Sequence, residues 1–163
     1  MTRNVVFRIR RRYFDRIVSG RKRCEIRPDS AHWRKVVDQL LWSEALRGHI
    51  VRARNLHAVF RPEAVVAVFV CGKRVHRRFV TKVRSHRDAR AALGRMPSNQ
   101  GLADLGTGPV YKFHLGAIVE FNRELARVIR AAPKGSLIIA NEQLSEITIH
   151  PPMKAGAVQG AGP

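Results

Sequence analysis

The run AVVAVFVC at residues 64–71 constrains the fold more than any other part of this chain. It is apolar and mostly β-branched or aromatic, and it lies between Pro62 and Gly72. A half-exposed strand would alternate with polar residues, so an unbroken run of this length reads as a strand covered on both faces. The chain must therefore build a sheet with packing on each side. Gly72-Lys73 reads as a tight hairpin turn into VHRRFVTKVR at 75–84, a second strand that is basic along much of its length.

Other segments supply the remaining elements. NVVFRIRR at 4–11 alternates, with Val5, Phe7 and Ile9 on one face and Arg8 and Arg10 on the other. Tyr13, Phe14, Ile17 and Val18 recur at helical spacing over 12–19, and Ser19-Gly20 is a helix stop. A strand at 22–27 follows, with Cys24 and Ile26 pointing one way and Glu25 and Arg27 the other; Pro28 ends it. Asp29 or Ser30 caps a helix over 31–47 whose stripe is Trp33, Val36, Val37, Leu40 and Leu41. Residues 49–63 fit a strand, a loop or a helical turn equally well.

Further along, Ser85 and Asp88 have capping-box spacing for a helix at 86–93, which Gly94 closes. Residues 95–109 are rich in glycine and proline without a period, and read as an exposed, mobile loop able to cover a site. A strand at 110–121 has Gly116 as a bulge or bend, and Asn122 caps a helix that Pro133 ends. Two short strands, 136–140 and 144–150, flank an Asn141-Glu142 turn. The expectation is an α+β fold: one domain over residues 1–150, with five to seven strands closing into a small mixed or antiparallel barrel and helices at its flanks. Consecutive hairpins favour antiparallel pairing, and 151–163 has the composition of a disordered tail.

Charge narrows the partner. The chain has 31 Lys+Arg against 12 Asp+Glu, a net +19, and residues 1–95 hold 25 of the basic and 7 of the acidic residues, or +18. That excess points to a polyanion, and arginine outnumbers lysine, which suits phosphate forks and stacking on bases. No apolar run is long enough to span a bilayer and no segment pairs a broad apolar face with a basic one, so no membrane partner is expected. The N-terminus lacks the pattern of a secretory signal, and Cys24 and Cys71 read as buried thiols; a cytoplasmic location is expected.

Within Tyr13 to Arg27, YFDRIVSGRKRCEIR, the order of features matters more than their charge: an aromatic helix, a glycine bend, then Lys22, Glu25 and Arg27. The pattern G-x-K-x-x-E-x-R formed by Gly20, Lys22, Glu25 and Arg27 resembles the signature of the ASCH domain, a family of the PUA-like superfamily. The resemblance covers residues 5–28 well and 64–84 less well. It implies a small β-barrel with a cleft beside the motif, and binding of RNA or a nucleotide; some members hydrolyse acetylated cytidine or cleave RNA. Lys22 would be the principal cleft residue, Glu25 and Arg27 its companions and Gly20 the backbone bend. The chain departs from the family pattern in two ways. It has no Gly-Asp pair after the motif, and it carries Glu25 where the amidohydrolase-like members carry threonine.

On the binding reading, Arg8, Arg10, Arg21, Arg23 and Arg27 contact phosphates near the motif, and Arg74, His76, Arg77 and Arg78 do so along the basic strand. Tyr13 and Tyr111 are the aromatics best suited to stack on a base. The alternative is a hydrolase acting on RNA or a modified nucleoside, in which Lys22 positions the reacting group while Glu25 or His114 transfers protons. The seven histidines fall into no metal spacing, and Gly106-Thr107-Gly108 lacks the Lys-Ser/Thr of a phosphate loop, so neither a metal nor a cofactor is expected.

Overall fold

The computed structural model describes residues 2–45, 57–60, 64–94, 105–120, 123–134, 136–140 and 147–151. Its centre is strand β4 (Val65–Cys71), in which all six residues from Val65 to Val70 are buried. Alternate residues serve different cores. Val65, Ala67 and Phe69 face one cluster, and Val66, Val68 and Val70 face another behind the sheet. This two-sided covering is why the run shows no polar break.

Strand β1 (Arg3–Arg8) lies beside β4 in parallel, with Val5 opposite Ala67. Gly72, at φ +58°, turns the chain into the long β5 (Arg74–His86), which pairs antiparallel with β4 and then with β6 (Val110–Ile118). Strand β2 (Cys24–Pro28) pairs antiparallel with β6, and β3 (His57–Val59) pairs with the second half of β5. The order β1-β4-β5-β6-β2 curls into a half-barrel whose end strands are β1 and β2. Strands β7 (Leu137–Ala140) and β8 (Ile147–His150) form a separate hairpin.

Four helices lie among the described residues: α1 (Arg11–Val18), α2 (Ala31–Ala45), α3 (Ala89–Leu93) and α4 (Arg123–Ala131). The apolar stripes of α1 and α2 pack onto the core face of the sheet. Phe7, fully buried, stacks on Trp33 and Phe69 with centroids 5.1 and 5.2 Å away and meets Phe113 edge-on at 5.1 Å. Each such pair contributes about 0.5–1.5 kcal/mol beyond its buried area. On the back face, α4 and Ile138 of β7 cover β4, while α3 covers Cys24, Ile26 and Val110. No helix among the described residues is long and apolar enough to cross a membrane.

Most expected elements are present, with shifted ends. The bend at Gly116 is a bulge: β5 and β6 slip register between Arg78 and Val80 and again before Lys82, and a Cβ at Gly116 would meet Thr81 Cγ2 at 2.7 Å. The mixed sheet and the cap of α2 decide alternatives that the sequence leaves open, and one expectation, the start of α3, is corrected. The sheet is a mixed half-barrel, because helix α2 and the chain after it separate β1 from β4 and allow the parallel crossover. Helix α3 starts later than expected, since the Asp88 carboxylate, not Ser85, accepts the capping bond from Ala91 N (2.7 Å). Ser30 supplies the cap of α2, accepting from Trp33 N (3.4 Å) while Asp29 holds Arg34. The ambiguous stretch contributes β3. Residues 95–104, most of the expected loop, the Asn141-Glu142 turn, the Asn122 cap and the tail from 152 lie outside the described residues.

Candidate functional site

Helix α1 delivers the motif. It ends at Val18, and Gly20 takes φ +76°, a left-handed turn that glycine adopts without a side-chain clash. Lys22 N then bonds back to Arg16 O (2.9 Å), folding the lysine inward before β2 begins. Strand parity does the rest. Glu25 lies opposite Phe113, so it and Arg27 face the core, whereas Cys24 and Ile26 face α3.

The result is a buried network. Lys22 is 7% exposed and Glu25 4%. One oxygen of Glu25 accepts from the Lys22 ammonium, and the other from Arg27 Nη2 at 2.8 Å. Both carboxylate oxygens are thus occupied, as a charge this deeply buried requires. Aromatic faces seat the two cations: Lys22 Nζ is 5.0 Å from the Tyr13 centroid, and the Arg27 guanidinium carbon is 5.1 Å from that of Trp33 and 5.4 Å from that of Phe7. The network holds one more positive charge than negative.

It opens onto a cleft of about 360 Å³ between the end of β1, the start of α1 and strand β2. Arg8, Arg10, Tyr13, Lys22, Glu25 and Arg27 supply its polar lining. Ile9, Ile26, Pro28, Leu93 and Leu105 make an apolar wall. Four cations, one carboxylate and a hydrophobic wall suit a planar heterocycle carrying negative charge, in a volume typical of small-molecule sites. Of the wall, Leu93 and Leu105 could not be read from the sequence, because tertiary packing alone brings α3 and the residues before β6 to the motif.

Arg8, Arg10 and Tyr13 have further places in the fold besides the cleft, and the remaining expected site residues lie outside its lining. Arg8 Nη2 also donates to Ile129 O and Ala132 O (3.4 and 3.2 Å) at the C-terminal end of α4, where a cation meets the helix dipole. Arg10 is the N-cap residue of α1, and Arg21 and Arg23 are exposed beside the motif. Tyr13 is half-buried, with its hydroxyl accepting from Arg12 Nη2 (2.7 Å).

The basic strand is a different matter. Arg74 pairs with Asp15 (2.8 Å) over the Phe14 ring. Arg77 is buried, donating to Glu120 O (2.8 Å) and Asn4 Oδ1 (3.5 Å), and Arg78 donates to Gly116 O (2.8 Å) and Ile17 O (3.3 Å). His76 lies edge-on to Phe14, and burial and then Arg78 lower its pKa. These four residues tie α1 and the β6 bulge to the sheet and do not line the cleft.

Tyr111 and His114 also lie elsewhere. Tyr111 belongs to the main core and donates to Asp29 Oδ1 (3.0 Å); burial, reinforced by that bond, pushes its pKa up to about 12. Its ring is therefore packed and not open for stacking. His114 lies opposite Cys24 on the back face, away from Glu25, so it does not join the Lys22–Glu25 pair. Burial and then the neighbouring Lys112 and Lys82 lower its pKa to about 4, which keeps the imidazole neutral near pH 7. Among the described residues no three His, Cys, Asp or Glu side chains could hold a metal ion. Comparisons of the chain with protein families, curated proteins and solved structures found no match.

Proposed function

We propose that this chain is an RNA-binding module of the PUA-like, ASCH type, which takes an unpaired base or nucleotide into the cleft beside Lys22. One observation carries the reading: a buried Lys22–Glu25–Arg27 network opens onto a cationic cleft with an apolar wall. The arrangement divides the work. Arg10 at the rim suits a phosphate, while the apolar wall and Tyr13 suit a base. The curled sheet is compatible with a PUA-like barrel, and the net charge of +19 favours a polyanionic partner.

Fluorescence anisotropy with unstructured RNA tests the reading. Affinity is expected to fall steeply with salt, and Lys22→Ala to reduce the preference among bases more than total binding. Absence of binding, or a salt-insensitive complex, would overturn it.

A hydrolytic reading draws on the same buried pair, since a lysine held beside a carboxylate in a cleft is a common catalytic arrangement. It has less support. Both Glu25 oxygens are engaged, and His114 is on the other sheet face. Turnover of labelled RNA or acylated nucleosides that Lys22→Ala abolishes would favour hydrolysis over binding alone.

A further inference from the structure

The back face of the sheet carries a strip of charge that the cleft does not use. After the bulge, Lys82, Arg84 and His86 of β5 share one face, because Val83 between them points into the main core. Directly across on β6, His114 lies opposite Lys82 and Lys112 opposite Arg84. Cations placed directly opposite each other on a sheet repel. Among the described residues, neither Lys82 nor Arg84 nor Lys112 forms an ion pair with a carboxylate. Lys112 reaches only a carbonyl, Ala92 O of α3, at 2.6 Å.

The surroundings sharpen the point. Helix α3 covers the neighbouring Cys24 and Ile26, and α4 covers β4, but no apolar cluster among the described residues covers this strip. Besides burial, every neighbour that sets the ionisation of His114 is a cation or an imidazole: Lys112, Lys82, His86 and Arg84. Around His86 the one opposing acid is Asp88, whose carboxylate also caps α3 and meets Arg87 (3.3 Å). The Nε2 atoms of His86 and His114 are buried beneath these cations, so the imidazoles form the floor of the strip and the cations its surface. The face holds the positive charge of Lys82, Arg84 and Lys112 without the acids that would neutralise it.

We propose that the cations of this strip, Lys82, Arg84 and Lys112, dock the phosphodiester backbone of a single RNA strand, one base of which occupies the cleft. The inference rests on the RNA reading above. Successive residues on one face of a strand are roughly 7 Å apart, which matches the phosphate step of an extended single strand. Ile26, part of the cleft wall, is the register partner of Lys112, and Lys112 that of Arg84. One strand spacing, roughly 5 Å, therefore separates the cleft wall from Lys112 and two, roughly 10 Å, separate it from Arg84, and a short oligonucleotide spans both.

The test compares salt-dependent binding of a labelled unstructured 12-nucleotide RNA by the wild type, a Lys82→Gln/Arg84→Gln variant and a Arg127→Gln/Arg130→Gln control. The control removes equal charge from exposed positions on α4. The strip variant is expected to bind about tenfold more weakly at 0.1 M salt, with a log–log salt slope shallower by about 1.4, or about 0.7 for each lost contact. The control is expected to change affinity by less than about twofold, and Arg84→Gln alone, at an exposed position, to weaken it about threefold. If strip and control variants behave alike while Lys22→Ala still alters base preference, the strip falls and the cleft reading stands. A wild type that binds no RNA overturns both. Loss of binding to phosphatidylserine vesicles with RNA affinity intact would overturn the strip in favour of a membrane surface.

Discussion

Strand β5 carries Arg74, His76, Arg77 and Arg78 before its bulge, and Lys82, Arg84 and His86 after it. In sequence the two halves look alike. In the fold the first three arginines each have a partner: Asp15, the Glu120 carbonyl and Asn4, and the carbonyls of Gly116 and Ile17. The second half has no comparable partner for Lys82 or Arg84 among the described residues, and Lys112 stands across from them. Positive charge in the first half joins elements of the fold, whereas in the second half it is held in reserve at a cost in repulsion. The difference teaches that an arginine count measures the potential of a surface, and only bonding partners say which cations are available to a ligand.

Substitutions can break or sharpen this contrast. The largest effect is expected at the buried network: Glu25→Ala leaves Lys22 and Arg27 without their shared carboxylate and should cost about 3–5 kcal/mol, measured by urea unfolding. Next comes the first half of β5, where Arg77→Ala should cost about 2–3 kcal/mol by stranding the Glu120 carbonyl and the Asn4 side chain. The RNA affinity of the protein that remains folded should change little. A stability loss below about 0.5 kcal/mol would mean that Arg77 is not structural.

Acid titration should come next in size. The pKa of His114 is lowered from 6.5 to about 4 in the folded protein, so the unfolded chain binds more protons between those values. Stability should therefore be complete above about pH 6.5 and decline as pH falls toward about 4. His32, His76 and His86 are lowered in the same direction and add to the slope. His114→Gln should flatten the decline, as read from melting temperatures across that range. The smallest stability effect is expected at Lys82→Ala and Arg84→Ala, within about 0.5 kcal/mol of wild type and on the stabilising side, because removing either relieves like-charge repulsion.

Local pattern revealed much of the fold. The unbroken 64–71 run, the Gly72 turn, the Gly20 stop and the Gly116 bulge each follow from side-chain chemistry within a few residues. Alternation also placed Glu25 and Arg27 together on one face. Long-range register was not legible. The parallel pairing of β1 with β4 spans α2 and β3, and only the match of Cys24 to His114 puts that histidine behind the sheet, away from Glu25. Tyr111 looked suitable for stacking because its hydroxyl suits a partly wet site, but neither its burial nor its bond to Asp29 has a local signature. The same reason explains why Arg77 and Arg78 resembled phosphate contacts: their partners come from β1, α1 and β6.

Photo-crosslinking of a bound RNA carrying a photoreactive base, with peptides mapped by mass spectrometry, addresses the central claim most directly. Crosslinks are expected on the cleft wall at Tyr13 and at Ile26 to Pro28, with flanking nucleotides reaching Lys82, Arg84 and Lys112. Crosslinks confined to Arg74 through Arg78, or a protein that captures no RNA, would contradict it.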